Sequence, residues 1–252
     1  MKVTVFKTHK ITSKDTNIFS VIDTYIPSLS EKSIVVVTSK IVSICEGRMV
    51  KKISDEQKDK LVTDEAEYYL PREFNQYGFL ISINKNILVA SAGIDESNGN
   101  GYYILWPEDP QRSANQIRSH LLDRFHLKEV GVIITDSKLT PLRWGVTGVS
   151  LSHSGFESIY SYVGRPDIFG RKLKAEKSNI ADGLATSAVV VMGEGEEQQP
   201  LAVIDDVPFV QFQERSPTAE ELDEIKISLD EDVYASMLTR VPWRKGKGGA
   251  GA

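Results

Sequence analysis

Two short apolar runs in this chain each end in an aspartate with oxygen-bearing neighbours. Ile87-Leu88-Val89-Ala90 leads into Ala92-Gly93-Ile94-Asp95-Glu96-Ser97-Asn98, and Val132-Ile133-Ile134 runs straight into Thr135-Asp136-Ser137. A fold that accommodates both must bury the runs as strands and present the carboxylates at their ends. Hard cations such as magnesium take oxygen ligands held on rigid backbone. Two such strand ends could hold a metal around a triphosphate. Each aspartate alone also has a local reading, because aspartate often closes a turn by bonding to its own backbone.

The rest of the chain reads as strands and helices in irregular alternation. Residues 2–7 alternate polar and apolar and predict a strand. Residues 16–25 carry Ile18, Val21, Ile22 and Tyr25 at helical spacing. Residues 33–37 form a buried strand, and Thr38 to Ser43 follow with no turn signal before Glu46-Gly47. A polar helix is expected over 54–70, ended by Pro71. Residues 77–83 and 86–91 suggest a hairpin through Asn84-Lys85. Next come a loop over 95–103, a rigid turn at Trp106 to Pro110, a helix over 113–125 and a strand over 130–135. Residues 138–145 read as a loop containing Pro141, and 150–162 as strand or loop. A helix over 181–192, an acidic glycine loop over 193–200 and a strand over 201–204 follow; 207–210 could extend that strand.

Past Arg215 the character changes. Thr218-Ala219-Glu220-Glu221 is a capping box, a second short helix covers about 230–238, and the Gly/Ala/Lys stretch 244–252 is expected to be flexible. The expectation is therefore a catalytic domain over 1–215 and short C-terminal helices with a tail over 216–252. Without a regular βαβ rhythm, the fold class is α+β, with mixed or antiparallel sheets and flanking helices.

Composition narrows the function. A net charge of −5 argues against a general nucleic-acid binder, which carries a basic field. One cysteine, Cys45, rules out an internal disulfide and a cysteine-rich zinc site; it reads as a packed thiol. Residues 1–6 are too short an apolar run for a signal peptide, and no stretch approaches the length of a membrane span. The expected setting is cytoplasmic, with no membrane partner. His9, His120, His126 and His153 show no metal spacing.

Met192-Gly193-Glu194-Gly195-Glu196-Glu197 follows a helix, so it fails the strand-to-helix context of a phosphate-binding loop. It reads either as a surface turn or as a loop placing Glu194 on a metal, with backbone N–H groups near a nucleotide. Lys40, beside Ser39, is either a solvated strand end or a point charge for phosphate.

Taken together, six segments resemble one family. They are Thr38-Ser39-Lys40-Ile41-Val42-Ser43 with Glu46-Gly47-Arg48; Ala92 to Asn98; Pro107-Glu108-Asp109-Pro110 with Ser113-Ala114; Ile134 to Ser137; Gly164-Arg165-Pro166-Asp167-Ile168-Phe169-Gly170-Arg171; and Met192 to Gly195. Their order and spacing are similar to those of the γ-glutamyl ligases that elongate the deazaflavin coenzyme factor 420, over about residues 1–205.

The resemblance implies a family-specific ligase fold, not ATP-grasp, in an intertwined homodimer. It implies use of GTP (ATP is the alternative) with magnesium or manganese to join L-glutamate to a carboxylate acceptor. By motif, Asp95, Asp136, Ser137 and Glu194 match the metal site. Ser39, Lys40 and Asn98 match nucleotide contacts, as does the loop Met192, Gly193, Gly195, Glu196, Glu197, Gln198 and Gln199. Arg143, Arg165 and Arg171 are candidates for gripping carboxylates or phosphates with their forked donors; structural ion pairing is their other reading. The chain departs from the family where Lys138 to Gly145 replaces a Gly-Arg segment and where Ile44 replaces a lysine. Those departures lead us to expect weak or no activity on the deazaflavin acceptor. The same chemistry on another acceptor, such as a protein C-terminus or another cofactor, stays open. So does a nucleotide-binding regulatory protein without ligase activity.

Overall fold

A computed structural model gives the structure of residues 1–248. In chain order the elements are β1 (Lys2–Phe6), α1 (Ile18–Tyr25), β2 (Ile34–Thr38), α2 (Ser39–Cys45), β3 (Met49–Lys51), α3 (Asp55–Glu65), β4 (Tyr68–Leu70), β5 (Ile81–Asn84), β6 (Ile87–Ala90), β7 (Tyr102–Ile104), α4 (Pro110–Phe125), β8 (Gly131–Leu139), β9 (Val146–Ser154), β10 (Ile159–Ser161), β11 (Lys177–Asn179), α5 (Ile180–Met192), β12 (Leu201–Asp205), α6 (Ala219–Asp223), α7 (Ala235–Leu238) and β13 (Arg244–Lys245). The architecture is mixed α+β, as the irregular alternation predicts.

The central sheet has the order β1-β12-β2-β8-β9. Only β2 and β8 run parallel; every other neighbouring pair in it is antiparallel. β2 and most of β8 are buried on both faces, which explains their unbroken Val/Ile runs rather than alternation. On one face Val35, Val37, Val132 and Ile134 pack with Val21 and Ile22 of α1, Ile41 and Val42 of α2, and Ile117 and Leu121 of α4. On the other, Ile34, Val36 and Ile133 meet Leu184, Ala185, Ala188 and Met192 of α5. Burying each such aliphatic side chain stabilises the fold by roughly 2 kcal/mol relative to exposure. A second sheet, β13-β4-β5-β6, packs with α3 around a smaller core that includes Val62, Leu80, Ile94 and Tyr103.

Several boundaries differ from expectation. α3 stops at Glu65 because Tyr68–Leu70, aromatic and apolar, pairs with β5 as a strand. The hairpin turns at Lys85-Asn86, both at positive φ, as its two-residue loop requires. Thr38 to Ser43 holds the start of a helix, α2. The expected loop 138–145 shrinks to 140–145, because β8 and β9 extend as a hairpin on either side. The undecided stretch 150–162 divides into the end of β9, a connection and β10. Residues 207–210 do not extend β12; Asp206 and Phe209, at positive φ, turn the chain away. The second C-terminal helix covers only Ala235–Leu238. Of the stretch expected to be flexible, residues 244–248 lie against β4 and α3, with Gly246 N donating to Glu67 O and Lys247 N to Thr63 O, each at 2.9 Å. Residues 249–252 fall outside the described residues.

His153 on β9 is 2 % exposed, and its Nε2 has no hydrogen-bond partner. Burial pushes its imidazole down from 6.5 to about 4, against a small opposing pull from Glu221. The unfolded chain therefore binds a proton that the native state refuses. Stability is lost as pH falls below about 6.5 and on through about 4. His153→Gln should flatten this acid limb by up to a few kcal/mol. Urea unfolding at a series of pH values checks this; superimposable acid limbs for the two proteins would exonerate His153.

Candidate functional site

The parallel pairing of β2 with β8 sets Thr38 opposite Thr135. There Ser39-Lys40 turn away into α2, while Asp136-Ser137 continue in β8, paired only with β9, so the edge of β8 that β2 vacates lies beside Lys40. The antiparallel partners bring two more segments to the same edge: Thr38 N donates to Pro200 O at 3.0 Å where β12 begins, and Thr8 N, just past β1, donates to Gln198 O at 2.8 Å. In open α/β sheets the carboxyl ends of parallel strands are where ligands bind. A register shift between Ile134 and Thr135 sits directly before Asp136; such bulges re-aim side chains beside functional sites.

Asp95 arrives from the second sheet. Its backbone N and O exchange hydrogen bonds with Ile104 at 2.9 and 2.8 Å. The turn before it, Ser91-Ala92-Gly93, has three successive residues at positive φ. Buried side chains hold that strained turn: Ser82 Oγ accepts from Ala92 N at 2.7 Å, and Asn84 Nδ2 donates to Ala92 O at 2.9 Å. Ser97 N closes the turn after it on Asp95 Oδ1 at 2.7 Å.

These segments surround a cleft of about 670 Å³. Asp95, Asp136, Ser137 and Glu194 all line it, as do Ser39, Lys40, Asn98, Met192, Gly193, Gly195, Glu196, Glu197, Gln198 and Gln199. Lys40 Nζ stands 2.5 Å from Asp95 Oδ2 and also donates to Ser97 O at 3.1 Å. Ser137 Oγ donates to Glu194 Oε2 at 3.2 Å. Asn98 Nδ2 donates to Gly195 O at 3.0 Å, tying the Asp95 turn to the glycine loop. Glu197 Oε2 accepts from Gly195 N at 2.8 Å and fixes the loop's curl.

The three carboxyls are shifted in different directions. Burial pushes Asp136 up to about 6, with repulsion from Asp95 adding to it, despite hydrogen bonds from Trp106 and Ser137. Burial likewise raises Glu194, more than Ser137 and Lys40 lower it. Burial also acts upward on Asp95, but there the charge and hydrogen bond of Lys40, with help from Ser97, win and hold it below the usual range. Of the three, only Asp95 pairs with the Lys40 ammonium; Lys10 is the other lysine lining the cleft.

The three arginines are not brought to this cleft. Arg143 lies in the exposed β8–β9 loop; β8 carries the chain four residues past Thr135, about 13 Å, before that loop begins. Arg165 donates to Tyr160 Oη at 2.5 Å and lies 4.8 Å from the Tyr160 ring centroid. Arg171 sits in the exposed turn capped by Asp167, whose Oδ1 accepts its N–H at 2.9 Å. Sequence reasoning missed the segment after β1. Thr8, His9, Lys10 and Thr12 also line the cleft. The His9 ring is pinned between Tyr25 Oη at 2.7 Å and Asp15 Oδ1 at 2.8 Å. The only available signal was the polar run Thr8-His9-Lys10 breaking the alternation of β1.

Fold and site define the class: an α+β protein with an acidic, lysine-flanked cleft at the carboxyl ends of paired parallel strands. The sequence profile of the family described as F420-0:Gamma-glutamyl ligase matches residues 6–206, and the chain belongs to that family. Similar proteins include the coenzyme F420:L-glutamate ligase of Methanococcus maripaludis strain C6, 40 % identical over 62 % of this chain and 60 % of that protein. The protein of the same name from Methanocaldococcus jannaschii is 35 % identical over 72 % of this chain and 79 % of its own length. That from M. maripaludis strain C7 is 34 % identical over 71 % and 78 %.

The Lys40–Asp95 pair makes a specific prediction. Lys40→Met should raise the Asp95 carboxyl, because burial would then act with no ammonium to oppose it. Carboxyl-carbon NMR titration reads this directly; an Asp95 curve that stays where it was would show that Lys40 does not set its charge.

Proposed function

We propose that this chain is a nucleotide- and metal-dependent ligase that joins L-glutamate to a carboxylate-bearing acceptor through an acyl phosphate. The observation that carries this reading is the convergence of Asp95, Asp136, Ser137, Glu194 and Lys40 with the 192–199 loop in one cleft, in a member of a γ-glutamyl ligase family. The names of the relatives, coenzyme F420:L-glutamate ligases, supply glutamate as the amine and the deazaflavin coenzyme as the first acceptor to test.

The donor set suits a hard divalent ion: Asp95, Asp136, Ser137 and Glu194 offer only oxygen. The raised carboxyls of Asp136 and Glu194 are what a cation would relieve. Among the described residues no three His, Cys, Asp or Glu side chains stand close enough to share one ion. Binding would therefore draw these carboxylates inward from where they stand. Magnesium or manganese would neutralise charge on the phosphates as the terminal group transfers.

The protein's own groups position the rest. Lys40 and the backbone N–H groups of the glycine loop would hold the phosphates of GTP or ATP, with Ser39 and Asn98 beside them. An acceptor carboxylate oxygen attacks the γ-phosphorus, and the β–γ bridging oxygen departs with the diphosphate. The glutamate amine then attacks the acyl carbon of the acyl phosphate, phosphate leaves, and the amine loses a proton. Carboxylate oxygen is a poor leaving group, which is why a triphosphate is consumed. The protein contributes chiefly orientation and charge stabilisation. Arg143, Arg165 and Arg171 could grip an acceptor only from outside the cleft. In a homodimer, the assembly that the family resemblance implies, another copy's arginines could approach it.

A second acceptor is favoured by one observation: the segment 138–145 lacks the Gly-Arg pair, and its loop, 140–145, does not line the cleft. Incubation with GTP or ATP, magnesium, glutamate and candidate acceptors, read by mass spectrometry for added glutamyl units, tests both. Weak or no addition to the deazaflavin coenzyme alongside addition to another carboxylate would identify the second acceptor. Nucleotide binding without phosphate release or any addition would instead indicate a regulatory protein.

Asp136→Ala should abolish ligation and metal-dependent nucleotide hydrolysis, with circular dichroism unchanged. Turnover at the wild-type rate would remove the metal from the mechanism. Light scattering at micromolar concentration should report a dimer, and a monomer alone would count against the assembly.

A further inference from the structure

Trp106 is the largest fully buried side chain, at 2 % exposure. A buried indole N–H needs a partner, and here the partner is not a backbone carbonyl but a carboxylate of the cleft: Nε1 donates to Asp136 Oδ2. Asp136 Oδ1 accepts from Ser137 N at 2.8 Å. Both oxygens are thus fixed from behind, and the remaining lone pairs are free for a ligand.

The same ring touches the other aspartate's turn. A Cβ built on Gly93 would lie 2.1 Å from Trp106 Cε2 and 2.3 Å from Nε1, and Gly93 has φ +76°. Only glycine lets the N–H edge of the indole seat there, two residues before Asp95. The tryptophan's own backbone is anchored in turn. Arg48 Nε donates to Trp106 O at 3.1 Å, while Arg48 Nη2 pairs with Glu65 of α3 at 2.6 Å. One rigid ring therefore stands between the two segments that carry Asp95 and Asp136.

We propose that Trp106 is a positioning residue that holds the two aspartates in register: its N–H orients Asp136, and the same edge of the ring, seated against Gly93, sets where the Asp95 turn stands. The proposal rests on the reading of Asp95 and Asp136 as metal-binding aspartates. Hydrogen-bond partners behind metal ligands typically contribute 10–100-fold in metal affinity.

The test uses the full chain and Mn²⁺ alone. The chain has three tryptophans, so one indole N–H resonance is assigned by its loss in Trp106→Phe. It should resist exchange with solvent and move in Asp136→Asn. Mn²⁺ binding, followed by electron paramagnetic resonance of the free ion, should weaken by about 10–100-fold in Trp106→Phe, with circular dichroism retained. Gly93→Ala should weaken it in the same direction. If Trp106→Phe does not fold, a benzothienyl-alanine at 106 removes the N–H and keeps the shape, and the same criterion applies. Mn²⁺ affinity lost in Asp136→Asn but kept within about twofold in the folded Trp106 variant overturns the proposal alone. So does an indole resonance unmoved by Asp136→Asn. Mn²⁺ binding absent from the wild type, or indifferent to Asp136, overturns the metal reading and the proposal with it.

Discussion

Everything at the cleft depends on the single parallel pairing in an otherwise antiparallel sheet. With β2 and β8 parallel and in register from Ile34↔Gly131 to Thr38↔Thr135, their pairing stops one residue before Asp136, and Lys40 comes to the same edge as Asp136. Were β8 antiparallel to β2, Asp136 would exit at the opposite end. The antiparallel neighbours then return the chain to this edge, so the exit of β1 and the entry of β12 close its sides. A parallel pair needs a crossover, and the chain uses that long excursion to build the second sheet. The excursion is productive because it carries Asp95, which the central sheet could not supply.

Charge sets the second constraint. Asp95, Asp136 and Glu194 crowd one cleft, and burial works against ionising each of them. Only Asp95 is held ionised by a contact cation. Paired and unpaired carboxyls in one partly buried site diverge in affinity for protons. A ligand bringing positive charge would reverse that divergence for Asp136 and Glu194 together. An anionic phosphate without a cation would worsen it. The electrostatics thus disfavour a bare anion in this cleft.

The strand cores and the long helices were legible because their signals are local: Ile34–Thr38 and Val132–Ile134 are continuous β-branched runs, and α4 and α5 carry sustained apolar faces. The two aspartates were legible because each follows such a run. Sequence pattern did not show α2, since Thr38 enters it with no side-chain cap and no punctuation marks the change. Nor did it show the contribution of His9, whose place depends on Tyr25 and Asp15 folding over it. The arginines illustrate the converse. Arg143 is close to Asp136 in sequence, but a strand is straight, so sequence proximity became distance. The Trp106–Asp136 bond joins residues thirty positions apart, beyond the reach of any periodicity.

The C-terminal glycines show how composition misleads when contact, not propensity, decides. Residues 244–248 read as a flexible stretch, since Gly and Lys lack any apolar pattern. In the structure β13 pairs with β4 and covers an otherwise open edge of the second sheet, which removes a site for unwanted strand addition. The approach is close enough that a Cβ on Gly246 would lie 1.9 Å from Ala66 O. The absent side chain is therefore what permits docking, and Lys247 adds a 2.7 Å pair with Asp64 on α3. This segment lies beyond the span shared with the family, residues 6–206. It braces the C-terminal end of α3, the helix whose Glu65 holds Arg48 and whose Lys58 bonds Glu96 beside Asp95. A part of the chain that looks like an appendage thus bears, through three contacts, on the wall of the cleft.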